Sequence, residues 1–173
     1  GSGRQLSLDL FTMTEHLWDL TANDLARKIA DGEVSSLEVI DAHLGRIEEV
    51  NGWLNAVTRV LADEARAVAE DADKAVAAGD ELGPLHGVPC TIKENIDVAG
   101  TATTQGLPVF ADLVSPTDAP LVERLRGAGA IPIGRTNLPE LGLRISTDNP
   151  LHGLTRNPWH PERTAGGSSG GEG

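Results

Sequence analysis

The chain has 173 residues, 39% hydrophobic and 23% charged, with a formal net charge of −12. That length suits one domain with its own core, and the composition is that of a globular rather than a disordered chain. An acidic chain without grouped Lys and Arg argues against nucleic-acid binding; with no apolar run near the roughly 20 residues of a membrane span and no basic-then-apolar leader, a cytoplasmic protein is expected.

The acidity is uneven. Residues 1–82 carry 17 acidic and 7 basic side chains, a balance of −10, whereas residues 83–173 carry 9 and 7, a balance of −2. The excess therefore falls on the first half, where a solvated helical surface accounts for it. Residues 1–12 precede Met13 and read as a tag or added peptide, with residues 13–173 as the body of the domain. Within that peptide, Gln5-Leu6-Ser7-Leu8-Asp9-Leu10-Phe11 alternates as a strand would, and it resembles the short peptides that dock on bacterial sliding clamps.

Thr21 and Asp24 have the spacing of a helix start, Leu25 and Ile29 follow one turn apart, and Gly32 stops the helix. Ser35 and Glu38 form a capping-box pattern ahead of a stripe of Leu37, Ile40, Leu44 and Ile47, in a helix expected to end near Asn51-Gly52. The run Leu54–Val60 is a short strand candidate. A third helix follows, with Ala65, Val68, Ala69, Ala72 and Val76 inward and Gly79 at its end. This half carries no obvious reactive group; His16 and His43 read as surface or packing residues.

From Gly83 the texture changes to short apolar strands punctuated by Gly and Pro. Val88–Ile92 contains Pro89, which suits an edge strand or a strand start. Thr117-Asp118-Ala119-Pro120 opens a helix with Leu121, Val122 and Leu125 inward, and Ala130–Gly134 is a buried strand, so the order predicts a parallel pair with a crossover. Pro139–Leu143 reads as another short helix. The single cysteine, Cys90, excludes an intrachain disulfide, and five histidines without His-x-x-x-His spacing point to no metal site.

The chain closes on Gly166-Gly167-Ser168-Ser169-Gly170-Gly171, two hydroxyls among glycines. Such a run alone fits a flexible linker. The context changes that reading. Upstream lie Gly87-Val88-Pro89-Cys90-Thr91-Ile92-Lys93-Glu94-Asn95-Ile96 and Gly134-Arg135-Thr136-Asn137-Leu138-Pro139-Glu140. With these three segments in this order, the chain resembles the amidase signature family, serine hydrolases that cleave carboxamide C–N bonds through a Ser–cis-Ser–Lys triad. The resemblance is specific over residues 83–173 and looser back to about Leu17. It implies an α/β fold in which N-terminal helices precede part of a mixed sheet with helices on both faces. It implies Lys93 as the catalytic lysine and Ser168 as the cis-serine, with Ser169 in a supporting place at most and no cofactor.

The family's nucleophilic serine lies in a second Gly-rich stretch, Gly-x-Asp-x-Gly-Gly-Ser, which residues 1–173 do not contain. The resemblance thus implies the N-terminal part of an amidase, inactive alone and held by an oligomer or by its own C-terminal portion. In that chemistry a neutral Lys93, favoured by apolar walls such as Val88, Ile92 and Ile96, takes a proton that Ser168 relays from the nucleophile and later delivers to the leaving amine. Without the resemblance, Lys93 would read as a strand-end lysine paired with Glu94 or Asp97. Glu94 and Asn95 could orient the lysine or lie on the surface; Arg163 and Thr164 would shape the approach to the loop, and Trp159 would pack. The amide substrate is not legible, although Gly106–Phe110 could form one wall of its pocket. Two alternatives stay open: the amidase subunit of a tRNA-dependent amidotransferase, and a non-catalytic module that binds through Gln5–Phe11.

Overall fold

The computed structural model describes residues 16–173. The Gln5–Phe11 strand and the boundary after residue 12 lie outside the described residues. Four helices and three strands follow in the order α1 (Ala22–Ala30), α2 (Ser36–Leu54), β1 (Val57–Val60), α3 (Ala62–Ala78), β2 (Pro89–Lys93), α4 (Pro120–Gly127) and β3 (Ile131–Thr136), with short 3-10 turns at Leu17–Asp19, Pro108–Phe110 and Glu140–Gly142. No helix among the described residues is long and apolar enough to cross a membrane.

Local chemistry sets the helix starts. Thr21 Oγ1 accepts from the Asp24 amide at 3.2 Å, and in the Ser35/Glu38 box the serine hydroxyl accepts from the Glu38 amide at 3.1 Å while the carboxylate accepts from the Ser35 amide at 2.8 Å. These contacts occupy donors that a helix start otherwise leaves unpaired. α2 runs past the expected stop at Asn51-Gly52 to Leu54. The reason lies beyond its end: Asn51 Oδ1 accepts from the amides of Ala56 and Val57, and Asn55 takes the left-handed cap with φ 55°.

The sheet has the order β1-β3-β2, with β3 antiparallel to β1 and parallel to β2. The strand–helix–strand crossover through α4 matches the parallel pair expected from the sequence. β3 is buried along its whole length because it has a neighbour on each side. Pro132, which cannot donate to a ladder, is accommodated where the β2–β3 register shifts between Cys90 and Thr91. At Gly134 a Cβ would lie 2.8 Å from Val57 Cγ1 and 3.1 Å from the Arg59 carbonyl oxygen, so a side chain there would force a shift in β1.

One core cluster joins Ile40 and Leu44 of α2, Ala65 and Ala69 of α3, and Ile131 and Ile133 of β3. Full burial of each Ile or Leu contributes about 1.5–3 kcal/mol. Two inward assignments are corrected. Val68 and Leu121 are both exposed. The buried stripe of α3 repeats at Ala65 and Ala69, leaving Val68 on its flank, and α4 buries Val122 with Leu125 packed beside it, turning Leu121 outward. His16, which is exposed, stacks on Trp18 with ring centroids 4.3 Å apart, and His43 Nδ1 meets the Val39 carbonyl, within the surface or packing roles expected for both.

Candidate active site

Lys93 is the last residue of β2 and pairs in register with Thr136, the last residue of β3. The site therefore opens at the carboxyl ends of two parallel strands, where an α/β sheet leaves a crevice. The Gly-rich loop folds back over these ends. Its peptide Gly167-Ser168 is cis, and Lys93 Nζ lies 3.0 Å from Ser168 Oγ and 2.9 Å from Ser169 Oγ. Residues separated by 75 and 76 positions are thus within hydrogen-bond reach.

The glycines are required by close approach. A Cβ on Gly167 would lie 2.5 Å from the Arg144 carbonyl oxygen, and one on Gly171 would lie 2.5 Å from the Asn137 amide nitrogen. Thr147 Oγ1 donates to the Gly166 carbonyl at 2.9 Å and accepts from the Gly170 amide at 3.0 Å, clasping the loop from inside. Gly171 donates to the Asn137 carbonyl at 3.2 Å, and Glu172 accepts from Thr91 Oγ1 at 2.9 Å and from Thr136 Oγ1. The Thr136-Asn137 pair therefore underlies the loop. Its residues were visible as a motif, but this seating was not.

Burial pushes the Lys93 ammonium below its ordinary range, and the nearby Glu172 carboxylate opposes that shift. A neutral amine between two hydroxyls can accept a proton from either; a charged one can only donate. Cys90, on the same strand, has its thiol pushed up to about 11 by burial, which makes it a poor nucleophile.

Other expectations fare differently. Lys93 makes no ion pair with Glu94 or Asp97: Glu94 is 2% exposed and accepts from Thr58 Oγ1 at 2.6 Å and from Thr104 Oγ1, with His152 Nε2 at 3.3 Å. Glu94 is thus neither a surface group nor a direct partner of the lysine, whereas Asn95 is exposed. Val88 belongs to the cluster of Leu25, Ile29 and Val39, and Ile92 and Ile96 to that of Val98 and Val122, so these side chains serve two cores. Thr164 Oγ1 donates to Ser146 Oγ at 3.0 Å beside the loop, Arg163 is exposed, and Trp159, expected to pack, is 94% exposed.

Sequence reasoning missed Arg135. Its side chain is fully buried under the site and donates to the carbonyls of Ile92, Lys93, Ile96 and Ala102 and to Thr101 Oγ1. One guanidinium thereby fixes the turn that leaves β2 after Lys93. Among the described residues, no group of three or more His, Cys, Asp or Glu side chains is placed to hold a metal ion.

The amidase family profile matches residues 38–173. The chain belongs to the amidase family. Over 157 residues, 91% of its length, this amidase chain is 53% identical to an indoleacetamide hydrolase of Bradyrhizobium diazoefficiens, covering 30% of that protein. Over 159 residues, 92% of its length, it is 45% identical to a glutamyl-tRNA(Gln) amidotransferase subunit from Thermobifida fusca, covering 32%. Among solved structures it is similar to fatty acid amide hydrolase, with a TM-score of 0.86 and 32% identity over 90% of this chain and 28% of that one. The amidase chain thus spans about a third of the length of the proteins it matches.

Proposed function

We propose that residues 13–173 are the N-terminal portion of an amidase domain and supply the base and the proton relay of a Ser–cis-Ser–Lys site. The reaction is hydrolysis of a small-molecule carboxamide to a carboxylate and ammonia or an amine. The observation that carries this reading is Lys93 Nζ within 3.0 Å of both Ser168 Oγ and Ser169 Oγ. An amide is a weak electrophile with a poor leaving group, so cleavage needs an activated hydroxyl, a stabilised oxyanion and a proton for the departing nitrogen. Neutral Lys93 draws a proton through Ser168 from a nucleophilic serine; that hydroxyl attacks the carbonyl carbon, and the proton returns through Ser168 to the nitrogen as the C–N bond breaks. Water then cleaves the acyl ester. The nucleophile and the oxyanion donors are assigned to sequence following Gly173, and the partner of residues 1–173 is that portion of the same protein. Ser169 supports the lysine.

The 53% identity to an indoleacetamide hydrolase favours a primary amide on an aromatic acid as the substrate. The 45% identity to an amidotransferase component supports a second reading, in which the amide is glutamine and the ammonia passes to a tRNA-linked acceptor. A clamp-binding role for Gln5–Phe11 is independent of both and is tested by deleting residues 1–12. The deciding experiment is fluorophosphonate labelling with peptide mapping, alongside ammonia release from indole-3-acetamide and from glutamine. Residues 1–173 alone should take no adduct. The full-length enzyme should take one outside these residues, and Lys93→Ala or Ser168→Ala should lower turnover by about 10²-fold or more. An adduct on Ser168 or Ser169, or undiminished turnover in Lys93→Ala, overturns the assignment.

A further inference from the structure

We propose that Glu172 is a positioning residue that straps the loop carrying Ser168 to the strand carrying Lys93 and sets the charge that Lys93 faces. The inference rests on the reading of Lys93 as the base.

The geometry is a convergence of two strands on one carboxylate. Thr91 of β2 donates to one Glu172 oxygen at 2.9 Å, and Thr136 of β3 donates to the other. Thr91 lies two residues before Lys93 on the same strand, hence on the same face, and Thr136 is the register partner of Lys93. Thr136 is 1% exposed, so its hydroxyl has little access to solvent as an alternative partner. Glu172 stands four residues after Ser168, and its amide donates to the Ser169 carbonyl at 3.0 Å. The carboxylate therefore ties the end of the loop to both strands that frame the lysine. A loop whose serines must meet one amine gains from such a tie, because misplacement by about 1 Å can cost on the order of 10²-fold in rate.

The same carboxylate is the charge acting on the lysine, favouring its protonated form against the effect of burial. The other charged groups nearby are otherwise engaged. Glu94, next along the chain, is turned to Thr58, Thr104 and His152. Asp97 accepts from Thr103 Oγ1 at 2.5 Å. Arg135 of β3 spends its guanidinium on the carbonyls around Lys93, and Arg59 belongs to β1, beyond β3. Cys90 holds its proton. Glu172 thus has two separable effects: its oxygens place the serines, and its charge keeps the lysine protonated to higher pH than burial alone would.

The test is the pH dependence of kcat/KM for amide hydrolysis in the full-length enzyme, with folding checked by circular dichroism. Glu172→Gln keeps an acceptor for one threonine and removes the charge, so the acid limb governed by Lys93 should move to lower pH. The double variant Thr91→Val with Thr136→Val keeps the charge and removes the strap; kcat should fall about tenfold or more, with a smaller displacement of the acid limb. Lys93→Ala separates the base assignment from the role of Glu172. If Lys93→Ala retains turnover, the base assignment fails, and this inference with it. If Lys93→Ala is inactive while the Glu172→Gln profile superimposes on that of the unmodified enzyme, the charge role of Glu172 is overturned alone. Undiminished kcat in the double threonine variant overturns the strap.

Discussion

Glu94 follows the candidate base in sequence, yet it works on the opposite side of the strand end as a nearly solvent-free carboxylate. Burial raises its proton affinity, but hydrogen bonds from His152, Thr104 and Thr58 outweigh burial and hold it below its ordinary value of 4.5. The folded state therefore binds the Glu94 proton more weakly than the unfolded chain does, and protonation favours unfolding. Its contribution to stability is fully present above about pH 4.5 and is lost as the pH falls from there through the lower folded-state value. Glu94→Gln cannot ionise. It should be less stable at neutral pH by about 1–3 kcal/mol, since an amide cannot accept at both oxygens as the carboxylate does. Its urea midpoint should also change less than that of the unmodified protein as the pH is lowered through this window. Parallel midpoints for the two proteins across the window would contradict this account.

Local signals account for the starts of α1 and α2, and a long-range contact completes the second. The Ser35 and Glu38 box was legible because it needs only residues three apart. Asp73 was not: from α3, its carboxylate accepts from the Ser36 amide at 2.5 Å and the Leu37 amide at 3.2 Å, taking two more free donors at the start of α2. Ser35→Ala should cost about 1 kcal/mol, and Asp73→Ala somewhat more, because it also removes a negative charge from the positive end of the helix and a tie between α2 and α3. Thermal or urea unfolding of the two variants checks the order; equal or reversed losses would show that the α3 contact adds little. The same division runs through the site. The β2–α4–β3 crossover follows from apolar runs separated by a helix, and Lys93, Ser168 and Ser169 were found through family motifs. The burial of Glu94 and Arg135 and the seat of Glu172 depend on which faces meet. A charged residue at a strand end carries no local mark of being enclosed, and Val68 and Leu121 carry none of being left outside.

At the scale of the whole molecule, the described strands end in two outer members, β1 and β2, flanking a fully buried β3. Large apolar side chains stand exposed beside the site: Leu143 at 79% and Ile145 at 87%, with Trp159 at 94% on the segment leading to the Gly-rich loop. The backbone of residues 144–146 packs directly on Gly167, so this apolar stretch adjoins the cis-serine. Exposed apolar side chains of this size can mark a packing or binding face, and open strand edges recruit further strands. The chain spans 28–32% of the matched proteins, and on the proposal that residues 13–173 are the N-terminal portion of an amidase domain, that face would meet the remainder of the domain. A polypeptide of residues 1–173 should then self-associate, with a weight-average sedimentation coefficient that rises with concentration. Changing Leu143 and Ile145 to Ser should reduce that association severalfold while altering the stability of the fold by no more than about 0.5 kcal/mol, as expected for exposed positions. If that assignment holds, the same pair should instead cost stability in the full-length protein, where the two side chains would be covered. A concentration-independent monomer in the first experiment, or an unchanged melting temperature in the second, would remove this face from the domain's interior.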